Sequence, residues 1–217
     1  MTEWGVSMNT AMVWGADGGI GGALTERLAD SGWTVLGLVR DPDSVTSDRA
    51  SIFAADVGDP DSVRAAVRWA EDQVDKIDLW IYAVGDIASL TVEEMQLAEW
   101  KRLITANLGG AYVTAHLSLP VLASDAHLIF VGAVSERLRL PGLSAYAAAK
   151  AGLEAFTAVL RKEQRGRKVM IVRPKAVMTP FWDKVPFNIP PGALQPEEVA
   201  RRVLQAVADG KSGMLDL

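Results

Sequence analysis

The chain has no cysteine, which removes disulfides, thiolate nucleophiles and zinc–thiolate sites together. Its two histidines, His116 and His127, have no second ligand at metal spacing, so no metal is expected. Basic charge is not in excess: 22 Lys+Arg stand against 27 Asp+Glu, a net charge of −5. Nucleic acid, which is drawn to clustered basic surfaces, is therefore not an expected partner. No run of about 18 apolar residues occurs, so no membrane-spanning helix is expected. Residues 1–9 carry Glu3 and lack both a basic start and an apolar core, unlike a secretory signal, which leaves the cytoplasm as the expected location.

What is present is apolar residue in quantity, 49% of 217, enough for one α/β domain over residues 1–217 with a sheet buried on both faces. Apolar runs at 10–14, 33–39, 51–55, 77–82, 127–132, 168–173 and 213–217 read as strands. Between them lie helical patterns at 19–31, 59–75, 95–122, 144–164 and 196–209. This alternation predicts a Rossmann-type, doubly wound parallel sheet of about seven strands with helices on both faces. Only about ten residues join the second strand to the third, too few for an ordinary helical crossover. The irregular stretch 174–195 holds five prolines (Pro174, Pro180, Pro186, Pro190, Pro191) and follows a strand's carboxyl end, where open α/β sheets bind ligands. It is the expected substrate lid.

The turn after the first strand reads Gly15-Ala16-Asp17-Gly18-Gly19-Ile20-Gly21. Glycines there permit a tight turn and let a pyrophosphate approach backbone at a helix N-terminus. The bland alternative is a flexible glycine turn. Tyr146 and Lys150, four apart, share a helix face. An ammonium there stabilises a phenolate and lowers the tyrosine pKa, fitting Tyr146 to pass a proton to a substrate oxygen. An ordinary helical pair is the alternative, and the two motifs in order weigh against it.

At this point the sequence resembles the short-chain dehydrogenase/reductase family, over essentially the whole chain. The segment from Pro141-Gly142 through Tyr146-Ala147-Ala148-Ala149-Lys150 looks like that family's active-site helix. Asp56-Val57 resembles its adenine-contacting pair, Asn107 its structural and proton-relay asparagine, and Arg173-Pro174 with Thr179-Pro180 its nicotinamide-contacting segment. The resemblance implies hydride transfer between a nicotinamide and a small carbonyl or alcohol. Tyr146 would be general acid/base and Lys150 would tune it and bind ribose, with Asn107 holding a relay water. Cofactor contacts are implied at Gly15, Asp17, Gly19, Ile20, Gly21, Arg40, Asp56, Val57, Ala83, Val84, Gly85, Tyr146, Lys150, Pro174 and Thr179. It also implies a homodimer or homotetramer.

Several positions depart from the family, Trp14 in place of a usual threonine among them. Ala133 stands where its catalytic serine belongs, thirteen residues before Tyr146. Ser135 faces the same side of an extended chain roughly 6.6 Å away, and replaces that serine only if the loop bulges. Tyr82-Ala83-Val84-Gly85 replaces an Asn-Asn-Ala-Gly whose asparagines brace the sheet. Lys175 replaces a glycine, facing either an anionic substrate or water. At the end of the second strand Val39 occupies the position of an NAD-selecting carboxylate and Arg40 follows, which favours NADP over NAD, with Asp17 and Asp41 as opposing charges. The rival reading is an NADP(H)-binding protein with weak or no turnover, a sensor or assembly partner. The aromatics Phe181, Trp182 and Phe187, with Ile189 and Leu194, point to an apolar substrate or simply close the lid.

Overall fold

The computed structural model describes residues 9–45 and 48–217. The reading of residues 1–8 as unlike a signal lies outside the described residues, as do Thr46 and Ser47.

Seven strands form one sheet in the order β3-β2-β1-β4-β5-β6-β7, every pairing parallel. The strands are β1 (Thr10–Trp14), β2 (Thr34–Val39), β3 (Ser51–Ala54), β4 (Ile77–Tyr82), β5 (Leu122–Val131), β6 (Lys168–Arg173) and β7 (Gly213–Asp216). Alternation along β1 shows how the sheet is buried twice. Met12 and Trp14 join one core cluster with Trp80, Tyr82 and Phe130; Ala11 and Val13 join another with Leu79, Ile81 and Ile129. Helices α1 (Gly19–Asp30) and α6 (Pro196–Ala208) pack together over the second cluster. Helices α2 (Pro60–Gln73), α4 (Gly110–Ser118) and α5 (Ser144–Glu163) lie over the first, and α3 (Leu97–Ile104) packs against α5. Asp59 starts α2 by accepting from the Asp61 N–H at 2.9 Å, with Pro60 in the first turn.

The short crossover behaves as its length requires. Between β2 and β3 the described residues hold only a 3-10 turn, Pro42–Ser44, capped by Asp41. The helix expected over 95–122 is not continuous. It runs as α3, a π-helical turn at Thr105–Gly109, then α4, and ends in a 3-10 turn at Leu119–Val121. Pro120 stops it, having no N–H to donate, and β5 begins already at Leu122 rather than 127. The π turn has its own partner: the Tyr82 hydroxyl donates to the Ala106 carbonyl at 2.7 Å. Tyr82 thus braces β4 against this helix, at the place where the lost asparagines raised doubt.

Candidate active site

The sheet order reverses between β1 and β4, and their two loops meet there. The Ala83 N–H donates to Trp14 O at 2.9 Å. Gly15 adopts φ +84°, and a Cβ on it would lie 3.0 Å from the Val84 nitrogen. A Cβ on Gly21 would lie 1.9 Å from Gly15 O, so Gly21 lets α1 close onto the turn rather than facing ligand. No side chain caps α1, whose N-cap is Gly18, so its first N–H groups remain for an anion.

A cleft of about 1090 Å³ opens along these carboxyl ends. Of the expected cofactor residues, all but Gly21 line it: Gly15, Asp17, Gly19, Ile20, Arg40, Asp56, Val57, Ala83, Val84, Gly85, Tyr146, Lys150, Pro174 and Thr179. The glycine cradle and the run from Arg40 to Tyr146 suit a long, phosphate-bearing dinucleotide. No group of three metal-ligating side chains occurs among the described residues.

Tyr146 and Lys150 come together on the first turns of α5, both buried. The Lys150 ammonium lies 5.6 Å from the Tyr146 ring centre and donates to Val131 O at 3.0 Å. Burial holds its pKa down at about 8. Burial also drives the Tyr146 phenol upward, opposite to the lowering expected from Lys150. The physical reason is burial: Tyr146 packs with Ile87, Leu143 and Phe181, the Phe181 ring centre 5.7 Å from its own.

Asn107 sits in the π turn and is fully buried. Its amide donates to Asp86 O at 2.6 Å and Leu103 O at 2.9 Å, and its oxygen accepts from the Asp86 N–H at 3.4 Å. Both amide hydrogens are spent and Asn107 does not line the cleft; its side chain pins the Gly85–Asp86 loop. Ala133 lines the cleft, whereas Ser135 opens a 3-10 turn, Ser135–Leu138, outside the lining. The loop therefore does not bulge to bring Ser135 into the vacated position. Lys175 is exposed and lines the rim.

Around Tyr146 the cleft is apolar. Ile87 and Leu143 pack with Tyr146, joined by Leu138, Phe181 and Phe187. Trp182 also lines it, its indole N–H donating to Val177 O at 2.8 Å. Ile189 and Leu194 do not line it; Leu194 exchanges backbone bonds with Ala176 and Met178 and packs into the core. Sequence reasoning missed Asp86, Arg102 and Lys184. All three line the cleft, with Asp86 paired to both cations. No local pattern joins residues so far apart.

The short chain dehydrogenase family matches residues 9–188. The chain belongs to that family. An uncharacterized oxidoreductase of Schizosaccharomyces pombe is 29% identical over 228 residues, spanning 97% of this chain and 87% of its own. One from Staphylococcus aureus is 28% identical over 93% and 91% of the two chains. Among solved structures, an alcohol dehydrogenase from Thermococcus sibiricus complexed with 5-hydroxy-NADP superposes with a TM-score of 0.88 at 22% identity, covering 97% and 96%. A dehydrogenase/reductase from Sinorhizobium meliloti gives 0.84 at 25% identity, covering 96% and 93%. This short-chain dehydrogenase is thus an NAD(P)-dependent oxidoreductase with the family's sheet. No helix among its described residues is long and apolar enough to cross a membrane.

Proposed function

We propose that this short-chain dehydrogenase interconverts a small, largely apolar carbonyl compound and its alcohol, using NADP(H). The observation that carries the reading is Tyr146 with Lys150, buried one turn apart at the nicotinamide end of a dinucleotide-shaped cleft. A nicotinamide bound there would supply or accept the hydride. Tyr146, its pKa raised by burial, keeps its proton and donates it to the substrate oxygen. Lys150 fixes its ammonium on Val131 O and turns its remaining donors to the ribose hydroxyls. Asn107 acts as a positioning residue, holding Gly85 and Asp86. The segment 174–195 is the lid, and Phe181 and Phe187 give the substrate pocket its apolar wall.

NADP is favoured because Val39 is buried in β2 and the cation Arg40 lines the cleft beyond it. Asp17, which accepts from the Ser44 hydroxyl at 3.4 Å, is the opposing charge on that rim. The archaeal relative solved with an NADP derivative agrees with this choice. Exposed Tyr112 on α4 and Val159 on α5 support assembly as a homodimer or homotetramer.

A second reading, cofactor binding with little turnover, is favoured by Ala133, which offers no hydroxyl to the reacting oxygen. One experiment separates the two. NADPH oxidation is followed against aldehydes, ketones and quinones for the parent, Tyr146→Phe and Ala133→Ser. Parent turnover that disappears in Tyr146→Phe, with NADPH affinity kept, supports the reductase. Loss of one such donor costs about 10²–10³ in other enzymes, so Ala133→Ser is expected to gain up to that order. An inactive parent that binds NADPH, and an inactive Ala133→Ser, would establish the second reading.

A further inference from the structure

Lys184 ends the 3-10 turn Pro180–Lys184, in the middle of the lid. Its ammonium reaches across the cleft to Asp86 Oδ1 at 2.8 Å. Asp86 Oδ2 pairs with Arg102 of α3, which also holds Glu99 at 2.7 Å. The carboxylate is mostly buried, at 14% exposed, whereas Lys184 and Arg102 are 53% and 43% exposed. Arg40, at the end of β2, lines the same cleft, and the Lys184 ammonium is held below its ordinary pKa first by burial, then by the charges of Arg102 and Arg40. Two cations from separate elements therefore hold one carboxylate, with Arg40 lining the same cleft, in a chain of net charge −5. Lys101 lines the same cleft, as do the acids Asp17, Asp56 and Asp59.

The lid segment leading to Lys184 lies along the path a dinucleotide would take. A Cβ on Gly19 would fall 2.4 Å from Thr179 Cγ2, so Thr179 rests on the N-terminus of α1. Phe181 lies 3.8 Å from where a Cβ on Gly85 would be, and covers Tyr146. Lys184 then closes the strap on the far wall.

We propose that Lys184 and Arg102 are phosphate-binding residues, and that Asp86 is their resident counter-ion until a phosphate of the dinucleotide replaces it. The proposal rests on the cofactor reading above. A carboxylate brings one charge and two oxygens, and here each oxygen already holds one cation. A phosphate brings more charge and more acceptor oxygens, so it engages Lys184, Arg102 and Arg40 together. Exchange of the partner also lets the lid lift from Asp86 and settle on bound cofactor.

The test is equilibrium binding of NADPH and NADH, read by calorimetry on the parent, Lys184→Gln, Lys184→Arg and Asp86→Asn. Lys184→Gln should weaken NADPH about tenfold and Lys184→Arg should restore most of it. Asp86→Asn removes the competing charge while keeping an acceptor for the Ile87 N–H, which now donates to Asp86 Oδ1 at 2.9 Å. It should tighten NADPH several-fold. Opposite signs are the signature of a displaced counter-ion. A bridge that merely held the lid would move both variants in the same direction, and that result overturns the proposal, as does an unchanged Lys184→Gln. A loss confined to NADPH assigns the 2′-phosphate, and an equal loss for NADH assigns the pyrophosphate; either supports it. A parent that binds neither dinucleotide refutes the cofactor reading itself, and the proposal with it.

Discussion

Lys150 shows how one side chain serves chemistry against stability. It is 3% exposed, and its pKa falls from 10.5 to about 8 because burial disfavours the ammonium. The folded pKa is the lower one, so between pH 8 and 10.5 the unfolded chain binds more protons and stability rises with pH. Near pH 7 the charged form therefore costs the fold about 3 kcal/mol. Replacing it by Met removes that cost but leaves Val131 O without its donor, a loss of about 1–2 kcal/mol. Lys150→Met is expected to be more stable by about 1–2 kcal/mol in urea unfolding at pH 7, to lose the rise above pH 8, and to lose turnover. A less stable Lys150→Met would mean that the amine is better compensated than its surroundings indicate. Tyr146 needs the opposite condition, and burial under Phe181 keeps its phenol protonated.

Among the elements, the interrupted helix between β4 and β5 matters most to the site. Its π turn places Asn107 inward, where the amide can reach Leu103 O and Asp86 O together. Tyr82 supports the same turn from β4 through the Ala106 carbonyl. Space is tight around that hydroxyl, since a Cβ on Gly110 would come 2.6 Å from it. Tyr82→Phe keeps the ring packing and removes this one hydrogen bond, at a cost of about 0.5–1.5 kcal/mol. Hydrogen exchange should show faster opening of residues 103–110 in that variant, with β1 and β6 unaffected. Uniform loss across the sheet would instead mean that Tyr82 supports the core as a whole.

At the scale of the whole molecule, His127 couples the sheet to acid. It is buried on β5, its Nε2 has no partner, and its pKa falls from 6.5 to about 4, chiefly through burial and then through the Lys168 charge. Because the folded pKa is the lower, the unfolded chain binds more protons between pH 6.5 and 4. Stability contributed by neutral His127 is complete above pH 6.5 and lost as pH falls towards 4, up to about 3 kcal/mol. Urea midpoints at pH 7 and 5 should differ in the parent and differ less in His127→Leu. An unaltered pH slope in His127→Leu would place the acid sensitivity elsewhere.

The sequence determined the sheet and most of the cleft. Alternating apolar runs can bury a strand on both faces in few other ways, and the glycine turn, Arg40 and the Tyr146–Lys150 pair are local patterns whose spacing sets their geometry. Pro120 stood in plain view as a helix breaker, so the earlier start of β5 was legible as well. Three things were decided only by the tertiary structure. Desolvation depends on what covers a group, so the direction of the Tyr146 pKa waited on the packing around its ring. Whether Ser135 could stand in for a serine at 133 depended on the path of one loop. The junction of Lys184, Asp86 and Arg102 needs residues 98 apart in sequence to meet across a cleft, and packing alone brings them together.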